Sequence, residues 1–250
     1  MQSNTEKLQK QYYNRIAAKY HAAYGDDISI SYRERIYKRL SGVVHFQGAS
    51  LLDGMCGGGQ NTFIFKSYGA SPVGVDISEE QCATFRRNHP STPVHCTSIL
   101  TLPFANSSFD LIYIDSLHHT HPHMNACLDE LMRVLKPTGK IIFWEPNYDS
   151  YFDFLRRLWY KMDPQYFCPN EQSISFPALK AYLSSSATCS FVSFGGSFGY
   201  LSVFATMALR SSRLLARIVS PLLISIDQLI DPLLSRYTSL WFIAVFERNS

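Results

Sequence analysis

The sequence predicts an open α/β fold with a mainly parallel sheet. From about residue 50, short apolar segments alternate with helical segments, as in proteins built from right-handed β-α-β crossovers. Four apolar segments, 51–52, 73–75, 111–114 and 141–144, are followed directly by Asp53, Asp76, Asp115 and Glu145. Parallel strands end at a common edge of the sheet, where ligands bind. We therefore expect a row of carboxylates along one functional edge.

The composition is that of an ordinary globular protein. The 250 residues are 46% hydrophobic with a net charge of +3. The sequence has no compact Lys/Arg cluster, so we expect no nucleic-acid partner. The six cysteines are scattered and the first ten residues are polar, so we expect a cytoplasmic protein with free thiols. The uncharged stretch 181–209 is interrupted by serines and glycines, which disfavours a membrane span.

The first forty residues are predicted to be helical. Tyr12, Tyr13, Ile16 and Tyr20 recur at helical spacing, which fits a helix that packs on the core. Core packing is one interpretation of these tyrosines, and their role stays open at this point.

Three further helices follow from local signals. Residues 60–68 form one helical segment, and Ser78 to Gln81 forms a capping box in which Ser78 caps the helix and Gln81 reaches back. Residues 123–135 carry apolar side chains on one face until Pro137 and Gly139 stop the helix.

The last third predicts two strands, 189–194 and 240–246, separated by an insertion at about 199–237. We expect Pro221 and Pro232 to divide the insertion into short helices. Its apolar residues at helical spacing are Leu215, Ile218, Val219, Leu222, Ile226, Leu229, Ile230 and Leu233, and its arginines are Arg210, Arg213 and Arg217. Three interpretations compete: a cover that buries its own apolar face, a cap over a bulky apolar acceptor, and a basic amphipathic surface for anionic lipid or dimerisation.

A glycine-rich turn follows the first strand and opens the next helix. The glycines between Asp53 and Asn61 let the backbone bend tightly and approach a ligand. Asp76 ends the second strand, where a carboxylate can accept hydrogen bonds from both ribose hydroxyls. Thr62 stands where a dinucleotide fingerprint needs its third glycine, and no P-loop lysine is present. An acidic residue before the turn suits an amino group and a sulfonium better than a pyrophosphate, which disfavours a nicotinamide-dependent oxidoreductase.

These motifs resemble those of class I S-adenosylmethionine-dependent methyltransferases of the small-molecule type, over at least residues 10–147. The family's first motif, hh-D-x-G-x-G-x-G, is matched by Asp53, Gly57 and Gly59, while Met55 replaces its first glycine. The segments 98–110 and 133–140 are also similar to family motifs. Ser98 stands where the family usually has an aspartate for the adenine amino group.

The resemblance implies a Rossmann-like sheet of seven strands, mainly parallel with an antiparallel last strand, and helices on both faces. It further implies a helical lid (1–45), a cofactor-binding core (46–147) and an acceptor-side part (148–250) that contains the insertion. In the lid, Tyr12, Tyr13 and Tyr20 would fold over the cofactor, which is the alternative to core packing. The implied cofactor is S-adenosylmethionine. Its expected binding residues are Asp53, Gly54, Met55, Cys56, Gly57, Gly59, Asp76, Ile77, Gln81, Ser98, Ile99, Leu100, Asp115 and Tyr20.

Four histidines lie in segment 115–123, after the fourth strand. His119 or His118 could act as a general base for a hydroxyl acceptor, or both could pack against the cofactor as structural residues. A metal site is a third interpretation, but no carboxylate or thiol lies at a useful spacing, and we predict none. Trp144, Glu145 and Asn147 are expected to shape the acceptor pocket.

We therefore predict methyl transfer to a small-molecule or lipid-like acceptor, more often at oxygen than at carbon or nitrogen. The N-P-P-Y/F tetrapeptide of base-modifying amino-methyltransferases is absent, and Glu145 to Tyr148 stands in its place. The alternative is a non-catalytic partner protein that binds S-adenosylmethionine. A peripheral membrane contact through residues 199–237 is a further expectation.

Overall fold

The computed structural model describes residues 4–24, 27–162, 168, 170–196 and 213–249. Its strands are β1 (Ser50–Gly54), β2 (Ser71–Asp76), β3 (Val94–Cys96), β4 (Phe109–Ile114), β5 (Leu135–Pro146), β6 (Ala187–Gly195) and β7 (Trp241–Arg248). They form one sheet of order β3-β2-β1-β4-β5-β7-β6. Neighbours among the first five strands pair in parallel, whereas β7 runs antiparallel to both β5 and β6. The predicted mainly parallel sheet with an antiparallel last strand is confirmed.

The helices are α1 (Asn4–Tyr24), α2 (Asp27–Leu40), α3 (Gln60–Ser67), α4 (Glu79–Asn88), α5 (Met124–Val134), α6 (Asp153–Met162), α7 (Phe176–Leu183) and α8 (Arg213–Ile230). Short 3-10 turns cover Leu117–His119 and Asp231–Leu233. The helices predicted over the first forty residues, 60–68 and 123–135 are therefore observed. Of the helices in the described ranges, none combines the length and the apolarity that crossing a bilayer requires.

Two apolar clusters cover the two faces of the sheet. Side chains alternate along a strand, so Leu51 and Leu52 of β1 are both fully buried but belong to different clusters. On one face Leu131 of α5 packs into the cluster, and on the other Ile36 of α2 does so. Burial of each such side chain contributes roughly 1.5–3 kcal/mol. This packing fixes the strand ends and hence the positions of the loops that follow them.

Two local predictions were wrong. Pro221 does not divide the insertion, because α8 runs through it from Arg213 to Ile230. One missing N–H removes a single helical hydrogen bond, and the helix keeps the rest. Pro232 does lie beyond the helix end, in the 3-10 turn. The capping box is only half formed: Ser78 accepts from the Gln81 N–H at 3.1 Å, but its own N–H donates to Asp76 Oδ1 at 2.9 Å.

Candidate active site

Two adjoining cavities lie at the carboxyl ends of β1 and β2, and they contain about 420 and 440 Å³ of space, part of it open to solvent. Gln9, Met55, Asp76 and Ile77 line both of them. The predicted donor-binding residues that line one or both cavities are Met55, Gly57, Asp76, Ile77, Gln81, Ser98, Ile99 and Leu100. The structure therefore brings together more than half of the residues that the motifs predicted, from three separate stretches of chain.

The other predicted residues lie behind the cavity walls. Asp53, Gly54, Cys56, Gly59 and Asp115 line neither cavity. Asp53 is fully buried and accepts a hydrogen bond from Thr62 Oγ1 at 2.5 Å, and burial raises its pKa to about 7. Asp115 accepts from Arg33 and Asn61, each at 2.9 Å. Tyr20 belongs to α1, but its side chain lies outside the described residues. A donor contact for these residues stays a prediction.

The glycine-rich turn contains three residues in the left-handed region, Met55, Gly57 and Gly59, with φ of 56°, 54° and 88°. A Cβ atom at Gly59 would collide with the ring of His89, so that position requires glycine. Met55 adopts the same conformation without being a glycine, which costs about 1 kcal/mol or more. The turn thus bends through three left-handed residues and places the Met55 side chain on the wall of both cavities.

Asp76 holds this turn against the start of α4. Its Oδ2 accepts from the Gly57 N–H and its Oδ1 from the Ser78 N–H, both at 2.9 Å. Burial raises the pKa of Asp76, and these backbone donors partly offset that shift. Nearby, the Oε1 atom of Gln81 is buried without a hydrogen-bond partner among the described residues. An unsatisfied buried acceptor is costly, and a bound donor molecule with amino and hydroxyl groups fits this wall.

Helix α1 covers both cavities. Thr5, Glu6 and Gln9 line one, and Gln9 and Tyr13 line the other. The Ser98 hydroxyl donates to the Glu6 carboxylate, and the Gln9 amide donates to the carbonyl of His119. Of the two interpretations of the tyrosines, the lid fits Tyr13 and core packing fits Tyr12. Tyr13 lines a cavity, whereas Tyr12 packs in a small buried cluster. Glu6 carried no motif, so sequence reasoning missed it.

His119 faces the larger cavity together with Tyr13. Its Nδ1 lies 2.9 Å from the Tyr13 hydroxyl and 3.0 Å from Glu171 Oε1, and the Tyr13 hydroxyl donates to that same oxygen at 2.9 Å. The Glu171 side chain is 1% exposed. If Nδ1 carries the proton, Nε2 is left as the basic nitrogen. Glu171 lies 52 residues after His119 in the sequence and carries no motif, so only the fold places it here.

His118 has a different environment. Its Nδ1 lies 2.8 Å from Glu145 Oε2, and it lines neither cavity. Burial lowers the pKa of His118 well below its ordinary value and raises that of Glu145 well above its own. The carboxylate also accepts from the Leu117 N–H at 2.7 Å, so it closes the loop after β4.

Three side chains at this wall could hold a metal ion. The ligand atoms of His118, His119 and Glu171 lie within 4.8 Å of one another. No metal site was predicted from the sequence, because the carboxylate of Glu171 is not recognisable there beside the histidines.

Trp144 and Asn147, which the sequence assigned to the acceptor pocket, hold the chain in place where it enters β7. Trp144 packs edge-on against Trp241 at 6.0 Å between ring centroids. Asn147 donates from Nδ2 to the Ser239 hydroxyl at 2.7 Å and to the Arg236 carbonyl at 2.6 Å. These residues line neither cavity, and their predicted role in an acceptor pocket stays a prediction.

Comparisons with known proteins agree with this geometry. Residues 52–143 match a family model described as a methyltransferase domain. A phthiotriol/phenolphthiotriol dimycocerosates methyltransferase of Mycobacterium ulcerans is 29% identical over 112 residues, which cover 43% of this chain and 41% of that protein. A malonyl-(acyl-carrier protein) O-methyltransferase of Erwinia billingiae is 28% identical over 117 residues, 47% of this chain and 46% of that protein. The chain spans about half the length of the curated relatives it matches.

The crystal structure of magnesium protoporphyrin IX methyltransferase from Synechocystis with bound SAH has the same fold. It superimposes with a TM-score of 0.64 at 13% identity and covers 99% of this chain and 100% of that chain. The match extends beyond residues 52–143 to both ends of the described sheet.

Proposed function

We infer that this chain is a class I S-adenosylmethionine-dependent methyltransferase, because residues 52–143 match a methyltransferase domain and the fold is that of such an enzyme. From that premise we propose that it methylates an oxygen atom of a small-molecule or lipid-like acceptor. The names of the matched relatives include an enzyme of complex lipids and an O-methyltransferase. The single observation that carries the choice of oxygen is the pairing of His119 with Glu171 at the cavity wall. A neutral amine attacks through its lone pair and has less need of such a base than a hydroxyl has.

We assign the donor to the two adjoining cavities. When bound, S-adenosylmethionine supplies an electrophilic methyl group on a sulfonium. Asp76, at the junction of both cavities, accepts from the ribose hydroxyls. Gln81 Oε1 and the backbone of the glycine-rich turn bind the amino-acid end. Glu6, which hydrogen-bonds Ser98, supplies a carboxylate for the adenine amino group where the family's usual aspartate is missing.

His119 takes the proton of the acceptor hydroxyl. Its Nδ1–H donates toward Glu171 Oε1 and the Tyr13 oxygen. This orients the ring so that Nε2, which lies 3.4 Å from the Tyr13 hydroxyl, acts as the base. Glu171 and Tyr13 are positioning residues, since they act through the imidazole. His118 is bound to the buried Glu145 and supports the loop instead. A correctly placed general base contributes typically 10²–10⁴-fold.

The test measures S-adenosylhomocysteine formation by the purified chain with a panel of a phenol, a carboxylic acid, an amine and a carbon acid. We expect turnover with oxygen acceptors. His119→Ala should lower kcat about 10²–10⁴-fold with S-adenosylhomocysteine affinity little changed, and Glu171→Gln should lower kcat less. Asp76→Ala should instead weaken S-adenosylhomocysteine binding about tenfold or more.

Four outcomes contradict this assignment. Methylation of the amine or carbon acceptor alone would rule out oxygen. Equal loss of donor affinity in His119→Ala would make that histidine a cofactor-packing residue. Activity that disappears with a chelator and returns with zinc or nickel would assign His118, His119 and Glu171 to a metal. Tight donor binding without turnover on any acceptor would favour the non-catalytic partner protein.

A further inference from the structure

Helix α6 exposes its apolar side. Phe154, Leu155, Leu158 and Met162 are between 43% and 74% exposed, and at 100° per residue they share one face. The opposite face is buried and polar. Its Asp153 accepts from the Ser173 hydroxyl at 2.6 Å, and its Arg156 donates to the Leu240 carbonyl at 2.7 Å. The orientation is therefore the reverse of that expected for a helix covering a protein core.

Helix α8 has the same inverted orientation. Ile218, Leu222 and Leu229 lie on one face and are 67%, 63% and 78% exposed. The opposite face contains Ser220 and Asp227, which are 1% and 0% exposed. The strong exposure of Ile218, Leu222 and Leu229 does not fit a cover that buries its own apolar face. Val219, Ile226 and Ile230 of the predicted apolar face are half-buried, so the described part of α8 turns one side of that face outward.

Ion pairs connect α8 and the turn after it to α2. Arg35 and Arg39 bind Asp231 Oδ2 at 3.1 and 2.5 Å, and Arg35 also lies 3.9 Å from Asp227. The Gly196 N–H donates to the other oxygen of Asp231 at 3.1 Å. Because both aspartate side chains are fully buried, the helix is held with its polar side inward.

The two exposed faces lie at the same edge of the sheet as the cavities. Helix α6 follows the end of β5, and α8 precedes the antiparallel β7, so both project from the carboxyl edge. Tyr151 stacks on Tyr237 at 5.7 Å between ring centroids, and its N–H donates to the Tyr237 carbonyl at 2.9 Å. We call the exposed apolar side chains of α6, α8, Tyr151, Leu233 and Tyr237 the outer apolar surface.

Among the described residues, the most exposed charges around this surface are positive. They are Arg157 and Lys161 on α6, and Arg157 also pairs with the buried Asp153 at 3.1 Å. Arg236, beside Tyr237, and Asp149 are partly exposed and opposite in sign. Within the described segments 148–162 and 218–240, the acidic residues are Asp149, Asp153, Asp227 and Asp231, of which three are buried and none is exposed. Exposed apolar groups with flanking cations and without exposed anions are complementary to an anionic lipid surface.

We propose that the outer apolar surface binds an anionic phospholipid bilayer, with α6 and α8 lying in the interface. This goes beyond the proposed reaction, since it concerns where the protein works. The cavities then open beside the bilayer, and an acceptor dissolved in it reaches them without crossing water. Lipid binding requires neither methyl donor nor acceptor, so its failure would leave the proposed function intact.

The test is co-sedimentation of the full chain with vesicles of phosphatidylcholine alone or with about 30% phosphatidylglycerol. We expect binding to the anionic vesicles, weakened by salt. Phe154→Ser combined with Leu158→Ser should weaken binding about tenfold or more. Arg157→Glu with Lys161→Glu should remove the preference for phosphatidylglycerol. Circular dichroism should show an unchanged fold, because all four side chains are exposed.

Phe63→Ser is the matched control, since Phe63 of α3 is 60% exposed and lies outside the outer apolar surface. It should bind vesicles like the unmodified chain. Equal loss of binding in Phe63→Ser, or no binding of the unmodified chain to anionic vesicles, would overturn the proposal. So would a self-associating chain that ignores vesicles and becomes monomeric in the Phe154/Leu158 variant, because the surface would then be a contact between copies.

Discussion

Helices α5 and α6 carry similar amphipathic patterns but turn opposite faces toward the protein. In α5 the apolar residues Leu128 and Leu131 are fully buried against the sheet, because α5 is the crossover between the parallel strands β4 and β5. In α6 the apolar residues are exposed, and Asp153 and Arg156 face inward. The period of a pattern therefore predicts a helix with two unlike faces, but what lies beside the helix decides which face is buried.

The comparison extends to the two sides of the functional edge. The donor side, around β1, β2, α4 and α5, is held together by apolar burial. The acceptor side, around α6 and α8, is attached through buried hydrogen bonds and ion pairs. We expect the two sides to respond to substitution in opposite ways.

The largest effect is expected at Asp231. Asp231→Ala removes the ion-pair partner of Arg39 and the nearer of the two aspartates beside the buried Arg35, which keeps only Asp227 at 3.9 Å. This should destabilise the fold by about 3–5 kcal/mol. Hydrogen exchange should show the loss first in α8, where the aspartate is attached. The control is Arg157→Ala. Arg157 is exposed and pairs with Asp153, so its loss should change the free energy of unfolding by less than about 1 kcal/mol. Equal effects of the two variants would contradict the polar attachment.

The second largest effect is expected for a substitution in α5, whereas the matched substitution in α6 should have little effect. Leu131→Ala empties a fully buried site and should lower the free energy of unfolding by about 2–5 kcal/mol. Leu158→Ala, at a side chain that is 51% exposed, should change it by less than about 0.5 kcal/mol. Urea unfolding followed by circular dichroism measures both. A large loss in Leu158→Ala would mean that α6 buries its apolar face in solution.

A smaller effect comes from a buried acid on the donor side. The pKa of Asp53 rises from an ordinary 3.8 to about 7 on burial, so the folded state binds more protons than the unfolded state between those values. Stability from this group is therefore lost as pH rises from about 4 to about 7, by about 2 kcal/mol between pH 5 and 7. Asp53→Asn removes that slope. Unfolding free energies of both proteins across this range check it, and parallel curves would contradict the assignment.

The sequence was most informative where structure depends on neighbours in the chain. The strand ends at Asp53 and Asp76 and the glycine-rich turn were predictable, because apolar runs and glycine chemistry act locally. Glu171 and Glu6 reach the site from distant segments through the packing of the whole fold. No periodicity or spacing identifies such residues in one sequence. The orientation of α8 was missed for the same reason, since its anchor Asp231 is recognisable only beside Arg35.

The side chain at position 55 sets how much room the donor has. Met55 forms part of the wall of both cavities, where the family's glycine would contribute backbone alone. Its side chain therefore occupies space where the two cavities meet, while the backbone stays in the left-handed region. A Met55→Gly variant would remove that side chain and relieve the backbone strain. We expect the two cavities of such a variant to merge into one wider space.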